Sequence, residues 1–385
     1  MRLSRCRSTP LRGLASAVGI MAVVAVLLAG CSSPDPAPRA APTGAELAAA
    51  VDRFVDESLS PGIRNARAIL VAVDGKTVVE RYYDSSAVQT ANVASVTKSV
   101  LSTLVGIAVS EGDLTLDQTL SELFPSYADV MTGQVGAVTV RQLLTMTAGL
   151  PADDGSDPRP SGSDWIADIL RRGTVQAPGQ GFAYSSVSSH LLAAILVEAT
   201  GRPLLAYARD RLFDPLGIDT RQAFQPILAA GLPDRVEAHQ VRAYERAGFA
   251  WPRDPQGINV GYGYIKMTAE DMVILGNLYL DKGAWGGEQL VPSSWVEDAT
   301  SPAVSTGYGG FGGEDYGYQW WVTSAGEYPA FAAIGYGGQI IEVVPDLRLV
   351  VVASTWIDDT TSFDSRIWQT MVDMVIVPAF EPSPA

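Results

Sequence analysis

The chain has 385 residues, enough for one large domain or two modest ones, and 47% of them are hydrophobic, enough for a sizeable core. Its formal net charge is −15, which argues against nucleic acid or an anionic lipid surface as a partner; solubility is the plainer consequence. Two histidines and two cysteines in the whole chain leave little material for imidazole catalysis or thiolate metal sites.

A basic segment over 1–12 precedes an apolar run over 14–29, short for a membrane span, which ends in Leu28-Ala29-Gly30-Cys31. That ending resembles a bacterial lipobox. It implies removal of residues 1–30 as a signal peptide and a lipid on the thiol of Cys31; an uncleaved anchor helix is the alternative. Cleavage would remove Arg2, Arg5, Arg7 and Arg12, taking the charge from −15 to −19, and would remove Cys6 as well. No disulfide and no cysteine ligands would remain. Residues 31–44, rich in Pro, Ala and Ser, read as a tether to the membrane. The expectation is an exported protein, lipid-anchored to the cell membrane and facing the extracytoplasmic side.

Apolar Leu47, Val51, Phe54, Val55 and Leu59 recur at helical spacing, predicting an amphipathic helix over 45–59 that Pro61-Gly62 stops. Two β-branched runs, 66–73 and 77–83, are joined by Asp74-Gly75, a hairpin signal. From 95 to 111 apolar residues occupy nearly every face, which marks a buried helix, and Gly112 ends it. Further helices are expected at 140–147, 163–172 (capped by Ser163), 188–200, 204–212, 268–282 and 293–299. Residues 230–262 are loop-rich and carry no clear period. Strands are expected at 318–323, 329–334, 339–344 and 349–355, with a last helix over 364–377. Strands at both ends with helices between predict an α/β chain of the α+β type. One antiparallel sheet would come from 45–112 and 285–380, with a mostly helical subdomain inserted over 113–284 in a single domain spanning 45–380.

The chemistry centres on Ser95 and Lys98, three residues apart where a loop enters the long helix. Positions i and i+3 share a helix face, so hydroxyl and amine would lie side by side. The helix N-terminus and burial both favour a neutral amine able to accept the serine proton. Of four lysines (Lys76, Lys98, Lys266 and Lys282) only Lys98 has a serine three positions before it. A solvated lysine on a first helical turn is the bland alternative. There is no Gly-x-Ser-x-Gly elbow, and a Ser-His-Asp triad would have to recruit His190, which reads as a packed helix residue, or His239. Asp153-Asp154-Gly155-Ser156-Asp157 lacks the ligand spacing of a calcium loop and reads as a solvated loop. No metal or cofactor is called for. Tyr184, after the turn Pro178-Gly179-Gln180-Gly181, supplies a phenol that could act as base on attack and acid toward the leaving group. Ser186, two residues on, could hydrogen-bond Lys98 or substrate.

Taken together and in order, these segments resemble the β-lactamase-related serine hydrolases, a group with class C β-lactamases, D-alanyl-D-alanine carboxypeptidases, esterases and 6-aminohexanoate-oligomer hydrolases. Ser95-Val96-Thr97-Lys98 is similar to the first motif, residues 138–150 to a helix-and-turn signature, Tyr184-Ser185-Ser186 to Tyr-x-Asn, and Phe213-Asp214-Pro215-Leu216-Gly217 to a further landmark. The resemblance covers roughly 45–375. It implies a β-lactamase/transpeptidase-like fold and an acyl-enzyme mechanism in which Ser95 attacks while Lys98 and Tyr184 move protons.

Two departures stand out. Ser186 replaces the family's Asn, as in members resembling the 6-aminohexanoate-oligomer hydrolases. The third motif, usually Lys-Thr-Gly or His-x-Gly, is replaced by Gly335-Tyr336-Gly337-Gly338-Gln339, whose glycines would let backbone approach the acyl group and lend an oxyanion N–H beside that of Ser95. From 328 to 343 there is no Lys, Arg or His, and Glu342 is acidic. A substrate carboxylate finds no cation there unless a distant arginine such as Arg348 compensates. The expected activity is therefore hydrolysis of a small-molecule ester or amide, with weak or no β-lactam turnover. A carboxypeptidase or β-lactamase proper, and a non-catalytic envelope-binding lipoprotein, are the alternatives. Tyr308, Phe311, Tyr316, Tyr318, Trp320 and Trp321 would either wall an acyl pocket or pack the core.

Overall fold

A computed structural model describes residues 44–58, 63, 65–154, 158–228, 238–307, 313–357 and 365–380, without the side chains of 238–240 and 365–367. Cys31 and its tether, Pro61-Gly62, Tyr308 and Phe311 lie outside the described residues, as does the side chain of His239.

Eight strands form one sheet. Their spatial order is Lys76–Tyr82, Ala66–Val73, Leu349–Thr355, Gln339–Val344, Tyr328–Gly335, Trp321–Ala325, Asp315–Tyr316 and Val304–Ser305, each antiparallel to its neighbours. The N-terminal hairpin joins the C-terminal meander where Ile69 faces Ala353 and Val71 faces Val351. Asp74 and Gly75 have φ of 48° and 74°, the two successive left-handed residues that a tight hairpin turn needs to match strand twist.

The sheet's central strands are apolar on both faces because both faces are covered. Ala68, Leu70, Phe331, Ala333, Ile341, Val350 and Val352 meet the buried residues of the Val96–Glu111 and Ala269–Leu280 helices. Ile69, Val71, Ala330, Ile340 and Val351 meet those of the Gly44–Glu57 helix and the C-terminal helical segment. Every residue from Val96 to Ala108 is buried, so the Val96–Glu111 helix has no solvated face before its last turn and its first turn is held rigidly. Gly112, with φ 84°, ends it by giving its N–H to the carbonyls of Ala108 and Val109. Among the described residues no single helix is long and apolar enough to cross a membrane.

Several boundaries differ from the sequence expectation for local reasons. The Trp165–Arg172 helix is capped by Asp164, whose carboxylate accepts from Ala167 N at 2.9 Å, and not by Ser163. The stretch without clear period contains a helix, Ala238–Arg246; the carbonyls of Tyr244 and Glu245 in its last turn and of Ala247 just beyond it each accept from Lys266 Nζ at 2.8 Å. The strand expected from 318 starts at Trp321. Gln319 is held at φ 61° with its side chain donating to the carbonyls of Leu143 and Leu144, which keeps the chain before Trp321 out of the ladder.

Candidate active site

Ser95 precedes the first turn of the Val96–Glu111 helix, with φ −70° and ψ −5°. Ala94, just before it, has φ 46°, a left-handed conformation that costs a non-glycine residue about 1 kcal/mol or more. Asn92 holds it there by accepting the Ala94 N–H at 2.9 Å, and Val93 N donates to Ile265 O at 2.9 Å. The serine hydroxyl carries no cap duty, and Ser95 is half-buried. It is therefore open to chemistry.

Lys98 is 1% exposed. Its Nζ lies 3.0 Å from Ser95 Oγ, 3.2 Å from Ser186 Oγ and 3.0 Å from the carbonyl of Tyr262. Burial pulls its pKa down to about 7, against a smaller upward pull from the Asp153 carboxylate. Near neutrality a large share of the amine is thus unprotonated.

The turn after the Val140–Leu144 helix delivers the other half of the site. Met146, at φ 57°, accepts Ala183 N on its carbonyl at 2.8 Å and Ser185 N on its sulfur at 3.4 Å. Ser185 Oγ donates to Pro151 O at 2.7 Å, and Asp153 N donates to Tyr184 O at 2.9 Å. Gripped from both sides, Tyr184 presents its phenol close enough to the Ser95 hydroxyl for the two to interact electrostatically. Its ring stacks on Trp321 at 5.7 Å and meets Tyr316 edge-on at 6.4 Å. Burial drives the phenol's pKa well above the ordinary tyrosine range, outweighing the lowering effect of the neighbouring Ser95 hydroxyl. The hydroxyl is accordingly neutral and a proton donor; the phenolate needed for a base on attack is scarce.

Asp153, read from the sequence only as part of a solvated loop, is a further member of the site. Its carboxylate accepts Ser186 N at 2.9 Å and Ser186 Oγ at 2.6 Å, while the residue itself stays exposed. The only cue was its place just beyond Leu150-Pro151. Tyr262 also contributes through a backbone carbonyl, which no side-chain pattern encodes.

Of the Gly335–Gln339 segment, the structure brings Gly335 to the nucleophile. A Cβ there would collide with Val93 O and crowd Ala94, so only glycine lets the strand run flush against the Ser95 loop. The others turn elsewhere. Gly337 O accepts from Thr355 Oγ1, and a Cβ on Gly338 would collide with Trp368. Gln339 is fully buried, its amide bonded to Ser354 and Thr355 (3.0 Å from Ser354 Oγ, 2.8 Å to Thr355 Oγ1), which makes it a fastener inside the sheet. Arg348 follows the opposite end of Gln339–Val344 and pairs with Asp74 at 3.0 Å and Asp281 at 2.7 Å. At about 3.3 Å per strand residue it lies far from this turn and cannot serve as the missing cation. Glu342 is buried with Gln369 donating to it at 3.2 Å, and burial raises its carboxyl to about 8.

His190 is packed, as its position suggests. Its Nε2 lies 3.1 Å from Asp254 Oδ2 and its Nδ1 accepts from Gly261 N at 3.4 Å, so both ring nitrogens are committed away from Ser95. Of the two readings left open for the aromatic residues, core packing holds for the four described: Tyr316, Tyr318, Trp320 and Trp321 are at most 6% exposed. Tyr318 and Trp320 pack on Trp295 and Tyr279, and Trp321 backs Tyr184.

A family model described as Beta-lactamase matches residues 47–373. Penicillin-binding protein 4 of Amycolatopsis lactamdurans is 25% identical over 367 residues, covering 89% of this chain and 90% of the relative. Protein flp of Staphylococcus aureus strain MW2 is 24% identical over 180 residues, 43% of this chain, and the match spans 36% of flp's length. Among solved structures, EstCE1, described as a hydrolase with promiscuous acyltransferase activity, superposes with a TM-score of 0.66 at 18% identity, covering 86% of this chain and 99% of that one. The likeness to EstCE1 is one of fold. The sheet with helices on both faces is the β-lactamase/transpeptidase-like fold that the motifs imply.

Proposed function

The chain belongs to the Beta-lactamase family, and on that premise we propose that it is a serine hydrolase cleaving ester or amide bonds through an acyl-enzyme on Ser95. The observation that carries this reading is the set of three contacts at Lys98 Nζ. When the amine is neutral its two N–H bonds go to Tyr262 O and Ser186 Oγ, and the lone pair is left facing Ser95 Oγ. Lys98 takes the serine proton as Oγ attacks the substrate carbonyl. The neutral Tyr184 phenol, beside Ser95, passes its proton to the departing oxygen or nitrogen and is restored from the lysine. Water then attacks the acyl group, with the same two residues exchanging protons in reverse. The N–H of Ser95 and one from the Gly335 turn are the candidate oxyanion donors.

The proposed substrate needs no carboxylate. Arg348 is committed to two aspartates, and the exposed Asp153 beside Ser186 disfavours an anion. β-Lactam turnover is accordingly proposed to be weak or absent. Penicillin recognition is a second reading, favoured by the likeness to Penicillin-binding protein 4 along nearly the whole chain. A lipid on Cys31 is proposed to hold the enzyme at the membrane; replacement by alanine should release it to the medium.

A panel of p-nitrophenyl esters, D-amino-acid amides and nitrocefin tests the reading. Ester or amide turnover that vanishes in Ser95→Ala supports it. Nitrocefin as the best substrate moves the function to the second reading, and a chain inert to all three favours a non-catalytic binder.

A further inference from the structure

His190 and Asp254 are both fully buried, and the proton transfers described above use neither. Asp254 Oδ1 accepts the N–H groups of Gln256 at 2.9 Å and Ile258 at 2.8 Å, and Oδ2 faces His190 Nε2 at 3.1 Å. The other ring nitrogen, Nδ1, accepts from Gly261 N at 3.4 Å. Since Gly261 donates, Nδ1 carries no proton there, and the neutral ring holds its hydrogen on Nε2 and gives it to Asp254. Trp165 packs edge-on against the imidazole at 5.2 Å. A Cβ on Gly261 would collide with Ser189 O, so the segment lies flush on the Ser186–Thr200 helix. The next residue is Tyr262, whose carbonyl accepts Lys98 Nζ at 3.0 Å.

We propose that the His190–Asp254 pair is a positioning clamp: it fixes Gly261, and through it the Tyr262 carbonyl that aims the Lys98 amine at Ser95. The inference rests on Lys98 being the base. Groups facing the lysine are Ser95, Ser186, Tyr184, Tyr262 and, through Ser186, Asp153; those facing His190 are Asp254 and Tyr262. A carbonyl acceptor stabilises an ammonium more than an amine. Loosening it lowers the lysine's pKa and leaves the lone pair poorly aimed.

Two variants separate the clamp from mere packing. In His190→Asn the amide oxygen occupies roughly the place of Nδ1 and still accepts from Gly261. In His190→Gln the amide reaches Asp254 and abandons Gly261. With a p-nitrophenyl ester, the Gln variant should lose about tenfold in kcat with KM little changed. Its acid limb of kcat/KM should move to lower pH by about half a unit or more. The Asn variant should keep the wild-type limb. A limb unmoved in a folded Gln variant, or moved equally in both, overturns the clamp. A wild-type profile without an acid limb overturns the lysine reading itself and the clamp with it. If the Gln variant does not fold, the imidazole 15N shifts of the wild type decide: hydrogen on Nε2 upholds the clamp, and hydrogen on Nδ1 overturns it.

Discussion

Ser186 Oγ gives its proton to Asp153 Oδ2 at 2.6 Å, which leaves its lone pairs to accept from Lys98 Nζ at 3.2 Å. A serine in this place therefore couples a carboxylate to the amine proposed to take the Ser95 proton. The carboxylate favours the ammonium and partly opposes the effect of burial.

Asp153→Asn should accordingly lower the pKa of Lys98. With the neutral amine as the proposed active form, wild-type activity should rise with pH through about 7. The variant's acid limb should sit at lower pH, with the plateau reduced about tenfold as Ser186 loses its fixed acceptor. The kcat/KM profile of an ester between pH 5 and 9 checks the direction.

Lys98 should also cost the fold stability. Its folded pKa of about 7 lies below the ordinary 10.5. Below pH 7 the native state must bury an ammonium, between 7 and 10.5 the unfolded chain binds the extra proton, and above 10.5 the penalty vanishes. Stability from this group therefore rises with pH, by an amount on the order of a few kcal/mol. Lys98→Met should be inactive, and its Tm relative to wild type should be more favourable at pH 6 than at pH 9.5. Equal differences at the two pH values would contradict a buried, shifted lysine.

Tyr184→Phe separates donor from base. The raised phenol pKa suits the proposed role of Tyr184 as an acid for the leaving group, so the loss should depend on what departs. Amides, whose nitrogen needs a proton, should slow by about 10²-fold or more, and p-nitrophenyl esters much less. Equal losses on both would return Tyr184 to the role of base.

The Gly335 turn has no cation, and Arg348 is tied to Asp74 and Asp281. Nitrocefin should be hydrolysed with kcat/KM at least about 10²-fold below the best ester. Parity between the two would mean that carboxylate recognition is supplied by another group.

Much of the architecture was legible because it is encoded locally. Asp74-Gly75 closes the hairpin, Gly112 stops the buried helix, and the run 339–344 is the strand Gln339–Val344. Ser95 and Lys98 were legible for the same reason, being one turn apart. Asp153 reaches Ser186 across 33 residues and Tyr262 meets Lys98 across 164, in one case by a carbonyl. Such contacts leave no spacing to read. Tyr316 and Trp321 left two readings open: aromatic residues in a Gly-rich stretch suit a pocket wall or a core, and only packing against Tyr184 reveals them as its support. The same distance in sequence hides the pairing of His190 with Asp254, 64 residues on.

The central claim is that Ser95 is an activated nucleophile. Intact mass after treatment with a fluorophosphonate probe tests it most directly. The account predicts one covalent adduct on the wild type, located on Ser95, forming faster as pH rises through about 7 and absent from Ser95→Ala. An adduct that persists in Ser95→Ala, or a folded wild type that no acylating probe modifies, would contradict it.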